Sequence, residues 1–131
     1  MIEYTIKDRL IRVRMSGSNS SADMERHYEE VYNDPRYDVM FSTLFHIDPN
    51  AGGQILEELP RVRQLMELVA ESQKAEKKWA VVMPSAFKRA VVEFLLKDVQ
   101  VKPIQIRFFG SEEDALVWLN QGITSVPTGA G

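Results

Sequence analysis

His46 and Asp48 stand two residues apart in the chain. In an extended strand that spacing turns both side chains to the same side. An imidazole beside a carboxylate can serve as a general base. No serine, threonine or second acid is evidently placed next to them. The pair therefore also reads as a buried histidine hydrogen-bonded to a neighbour, with Asp48 capping the turn that follows.

Cations at helix starts suggest a second kind of chemistry. Lys88 and Arg89 follow Pro84-Ser85, and Arg61 and Arg63 follow Pro60. A cation in a first turn opposes the positive end of the helix dipole. The same ends present free backbone N–H groups, so together they suit an anion such as a phosphate, a carboxylate or a lipid headgroup. Acidic residues also lie nearby (Glu57, Glu58 and Glu93), and the plainer reading is a solvated surface. Gly52-Gly53 lacks the following Lys-Ser/Thr pair of a P-loop. The candidate ligand-binding set is His46, Asp48, Asn50, Arg61, Ser85, Lys88 and Arg89, with no residue assigned a catalytic role.

Composition narrows the classes. The 131 residues suit one domain, and a 44% hydrophobic share suits a full core. The chain has no cysteine, which removes disulfides, thiolate nucleophiles and cysteine-ligated metals and fits a reducing cytoplasm. His27 and His46 are not at a metal-ligand spacing, and no cofactor is implied. A net charge of −3 argues against a dedicated nucleic-acid binder. The first residues lack a basic start followed by a long apolar run, and no apolar stretch is long enough to span a bilayer.

The elements that must position these residues follow from periodicity. Ile2, Tyr4 and Ile6 alternate with polar neighbours, as do Ile11, Val13 and Met15 with Arg12 and Arg14 turned outward. Two strands of a hairpin with one wet face are expected, the arginines guarding an edge. Ser20 and Asp23 resemble a capping box for a helix ending near Asn33, before Pro35. Residues Val39 to Ile47 read as a doubly buried strand. Ile55, Leu59, Val62, Met66 and Val69 form a helical stripe that Pro60 divides into a short turn and a longer helix. Trp79 to Met83 is a buried strand, and Ser85 opens a helix whose stripe of Phe87, Ala90, Val91, Phe94 and Leu95 is expected in the core. Ile104 to Phe109 is a fifth strand. Ser111 and Asp114 cap a last helix packed through Trp118.

The order is β-β-α-β-α-β-α-β-α, an α/β domain over residues 1–121 with a flexible tail over 122–131. It predicts a five-stranded mixed sheet, mostly parallel, with an antiparallel N-terminal edge hairpin. That order is the one found in the STAS fold. The run Phe108-Phe109-Gly110-Ser111-Glu112-Glu113-Asp114-Ala115-Leu116-Val117-Trp118-Leu119 resembles the ending of the SpoIIAA-like (STAS/SEC14-domain) bacterial proteins, and Trp79-Ala80-Val81-Val82 resembles one of that family's strands. The SEC14 part of the resemblance implies binding of an amphipathic molecule or lipid; the strand-end loops, the basic helix starts and the missing nucleophile set make the expected function a non-enzymatic binding or regulatory module for a small anionic or amphipathic ligand or a protein partner. Anti-sigma-factor antagonists of this fold carry a phosphorylatable serine in an Asp-Ser-Ser/Thr-Gly segment. The corresponding stretch here is Asp48-Pro49-Asn50-Ala51-Gly52, and proline has no hydroxyl to phosphorylate. A homodimer built on the hairpin edge or a helix face, and an enzyme using His46 and Asp48, are the alternative readings.

Overall fold

The computed structural model describes residues 1–51, 57, 59–72, 76–97 and 104–128. Five strands, β1 (Ile2–Lys7), β2 (Leu10–Met15), β3 (Ser42–Ile47), β4 (Lys77–Val82) and β5 (Ile104–Phe109), form one sheet in the order β1-β2-β3-β4-β5. The first pair is antiparallel and the other three are parallel. After β2, β3, β4 and β5 come, among the described residues, the helices α1 (Ser21–Tyr32), α2 (Leu59–Ser72), α3 (Ala86–Leu96) and α4 (Glu112–Thr128). α4 thus continues past Gln121, the expected end of the domain. Gly52, Gly53, Ile55 and Glu58 lie outside the described residues.

Each parallel strand lies beside the one before it, so right-handed crossovers send α1, α2 and α3 to the same face. The core bears this out: Ile11, Val13 and Val81 pack with Met24 of α1, Val62 of α2 and Val92 of α3. α4 covers the opposite face with Ala115, Trp118 and Leu119 against Leu44, Ala80 and Val82. Burying one such aliphatic side chain contributes about 1.5–3 kcal/mol.

Local chemistry sets the boundaries. Asp8 and Arg9 both have positive φ, 54° and 65°, as a two-residue type I′ hairpin turn requires. The Ser20 hydroxyl accepts from the Asp23 amide and the Asp23 carboxylate accepts from the Ser20 amide, the reciprocal capping box that the sequence predicts. β3 starts at Ser42, later than expected. Asp38 accepts the Met40 amide through its side chain and the Phe41 amide through its carbonyl, which holds residues 38–41 in a turn and leaves Val39 and Met40 exposed.

Two further expectations are corrected. β2 is an interior strand, so Arg12 and Arg14 guard no edge. On α3 it is Val92 that is buried, whereas Phe87 and Phe94 are 72% and 64% exposed and Leu95 is exposed as well. This helix is apolar on two faces, and periodicity alone cannot choose between them. Lys88 and Arg89 reach inward to backbone carbonyls at the sheet's end, and that rotation turns the phenylalanines outward.

Candidate functional site

The carboxyl ends of the four parallel strands carry the loops after Met15, Ile47, Val82 and Phe109. Backbone and side-chain bonds stitch these loops together. The Asp48 amide donates to Met15 O at 2.9 Å, and the Met83 amide donates to Phe109 O at 2.9 Å. The Gly17 amide donates to Asn50 Oδ1 at 3.2 Å. Lys88 Nζ donates to Pro49 O at 2.6 Å. The loops after β3 and β2 are thus bonded to each other, the loop after β4 is bonded to β5, and α3 reaches the loop after β3 through Lys88.

β4 hands the chain to α3 on one face, and β5 hands it to α4 on the other. Adjacent strands whose outgoing loops diverge leave a crevice beyond their ends, the usual ligand position in open α/β sheets. Arg89 lies there. Its Nη1 donates to Met83 O at 2.8 Å and sits 2.9 Å from where a Cβ on Gly110 would be. Ser85 caps α3 by accepting from the Lys88 amide at 3.3 Å, and α3 has no acidic residue in its first turn. Lys88 and Arg89, both half-buried, form no ion pair among the described residues. Positive charge therefore gathers at this helix start, and among the described residues no carboxylate is paired with it.

His46 and Asp48 are together, as their spacing predicts, and they belong to a longer chain of ionisable side chains. Arg14 donates to both Asp48 oxygens at 3.2 and 3.3 Å. Asp48 Oδ1 lies 3.5 Å from His46 Nε2, and His46 Nδ1 lies 3.4 Å from Glu112 Oε2. Glu112 Oε1 accepts from Arg12 at 3.0 Å. Both ring nitrogens thus face carboxylates, which orient the imidazole and leave neither nitrogen turned toward an open cleft. The chain ties the start of α4 to β2 and β3. Each exposed pair in it is worth about 0–1 kcal/mol.

Arg61 lies elsewhere. It reaches across the α1–α2 contact to Glu25 at 3.8 Å, so a carboxylate already faces its charge. The sequence reading missed Glu112, Gly110 and the Pro49 carbonyl. Only Gly110 carries a visible signal, a glycine placed directly after a strand. No group of three or more metal-ligating side chains occurs among the described residues. No helix among them is long and apolar enough to cross a membrane.

Other buried ionisable groups sit away from this end. Burial pushes the His27 imidazole down to about 4, and it packs edge-on against Tyr4 with ring centroids 5.7 Å apart. Burial likewise lowers the Lys77 amine to about 8 beneath the Tyr37 ring. No protein family, curated protein or solved structure matched the chain.

Proposed function

We propose that this chain is a non-enzymatic, STAS-like binding or regulatory module that takes up a small anionic ligand in the crevice beyond β4 and β5. The observation that carries the reading is the pairing of Lys88 and Arg89. Both cations sit in the first turn of α3, and both rest on backbone carbonyls instead of carboxylates. Carbonyls hold the side chains in place without neutralising them. An incoming phosphate or carboxylate would meet two positioned cations and the free N–H groups of a helix start. Pro49, where a phospho-switch serine would stand, argues for regulation by ligand instead of by phosphorylation of this loop. The enclosure of His46 between Asp48 and Glu112 favours a structural role for that histidine.

The test is thermal and calorimetric titration with inorganic phosphate, a phosphate monoester and a short-chain anionic amphiphile. A probe at a hundredfold excess over its Kd should stabilise the fold by about 2.7 kcal/mol. Lys88→Ala and Arg89→Ala should each weaken binding, and added salt should weaken it further. Probes that leave the wild-type Tm unmoved, or bind both variants as well as wild type, would overturn the reading. The exposed Phe87 and Phe94 on the same helix favour an amphipathic over a purely polar ligand, which the amphiphile arm distinguishes.

A further inference from the structure

β1 is an edge strand, and its outer side has no partner strand in the sheet. Its backbone polarity can be read from one pair. The Ser16 amide donates to Met1 O at 2.9 Å, and the Met1 amine donates back to Ser16 O. In an antiparallel ladder such bonded pairs alternate with unbonded ones. In the observed register, Glu3↔Arg14, Thr5↔Arg12 and Lys7↔Leu10 are in phase with that pair. Glu3, Thr5 and Lys7 therefore direct their amides and carbonyls to β2. Tyr4 and Ile6 turn theirs outward, where a further strand could take them.

The side chains say which strand. Glu3, Thr5 and Lys7 share the solvent face of β1, and all three are exposed. Arg14, the register neighbour of Glu3, is held by Asp48, so neither Glu3 nor Lys7 has an ion pair among the described residues. The charge reverses sign about Thr5. We infer that β1 pairs with β1 of a second copy of this chain, antiparallel about a two-fold axis at Thr5. In that register Glu3 faces the partner's Lys7, Lys7 faces the partner's Glu3, and Thr5 faces the partner's Thr5. Tyr4 and Ile6 stand opposite the partner's Ile6 and Tyr4, exchanging the outward backbone bonds and extending the helix-covered face with an aromatic–β-branched pair.

Only the register centred on Thr5 sets both Glu3 and Lys7 of β1 opposite a partner side chain of opposite charge within the strand. Centring the axis on Glu3 or on Lys7 sets like charges face to face, which destabilises an antiparallel pair. Nothing in β1 blocks such pairing: it holds no proline, and six consecutive residues pair with β2 without a bulge. The result is an isologous interface with a sheet continuous across two copies. It lies at the opposite sheet edge from β5 and does not depend on the anion site.

The test uses the full chain at several concentrations in sedimentation velocity, with circular dichroism confirming the fold of each variant. Wild type should dimerise. Lys7→Glu and Glu3→Lys each set like charges opposite in two symmetric places, and each should raise the dimer Kd by about tenfold. The double variant Glu3→Lys/Lys7→Glu restores opposite charges and should return the Kd to near wild type. The chain has no cysteine, so Thr5→Cys is a clean probe. Its two copies would lie about 4.5 Å apart at Cα, within disulfide reach, and should cross-link on oxidation. A Glu113→Cys control on α4 should not. A wild-type monomer without a Thr5→Cys cross-link would overturn the inference. So would a dimer indifferent to the charge swaps, which would point instead to the Phe87–Phe94 face of α3.

Discussion

Arg89 Nη1 occupies the space that a side chain at Gly110 would fill, 2.9 Å from the position of a Cβ there. The contact joins the first turn of α3 to the loop after β5. Gly110→Ala should move the guanidinium off the Met83 carbonyl. Because the far end of a flexible side chain does the yielding, stability should fall by only about 0.5–1.5 kcal/mol, the worth of one hydrogen bond. Phosphate affinity should fall with it, to the level of Arg89→Ala, and the double variant should lose little more. Calorimetry on the three proteins checks this.

The hairpin turn carries a second expectation. Arg9 holds φ at 65° without being glycine. A left-handed conformation costs a residue with a Cβ about 1–2 kcal/mol. Arg9→Gly should therefore stabilise the fold by some of that amount, offset in part by a more flexible unfolded chain. Urea denaturation should show a raised midpoint and an unchanged slope.

His27 gives the acid side of the stability profile. Its folded value is about 4 against an ordinary 6.5, because burial disfavours the charged ring. The unfolded chain thus binds a proton that the folded chain resists. Stability from this group is complete above pH 6.5 and is lost as pH falls toward 4. The loss between pH 7.5 and 5 should be about 2 kcal/mol, from 1.36 kcal/mol per pKa unit. Replacing His27 with phenylalanine should flatten that part of the urea-measured profile.

The two faces of α3 should respond oppositely. Val92 is 4% exposed, and Val92→Ala should cost about 2 kcal/mol through lost burial and a cavity. Phe94→Ser, at a position 64% exposed, should change stability by no more than about 0.5 kcal/mol while raising solubility. Equal losses at both positions would mean that Phe94 is covered in solution.

Much of the architecture was legible because β1, β2 and α1 announce themselves in short-range pattern. Alternation over Ile2–Ile6 and again over Ile11–Met15, and Ser20 three residues ahead of Asp23, depend on nothing distant. α3 was not legible in the same way. Phe87, Val91 and Phe94 make as good a stripe as Val92 and Leu96, and the choice was made by Lys88 and Arg89 reaching loops far off in sequence. The site divides likewise. His46 and Asp48 could be paired from spacing alone, whereas Glu112 joins them only because α4 crosses to the other face of the sheet. Alternation turns Arg12 and Arg14 outward, as the structure has them, but cannot show that β3 lies beside them and makes their strand an inner one.

The strictly sequential strand order also bears on how the chain assembles. Every strand pairs with the strand made just before it, so no strand waits for a later one to create its slot. Loop closure for each parallel pair spans one crossover connection between sequence-adjacent strands, a short separation for a parallel sheet. During synthesis the hairpin can close first, and each following unit can then dock on a template that already exists. The cost of such vectorial growth is an open edge that travels from β2 to β5 as the chain lengthens and is exposed on every intermediate.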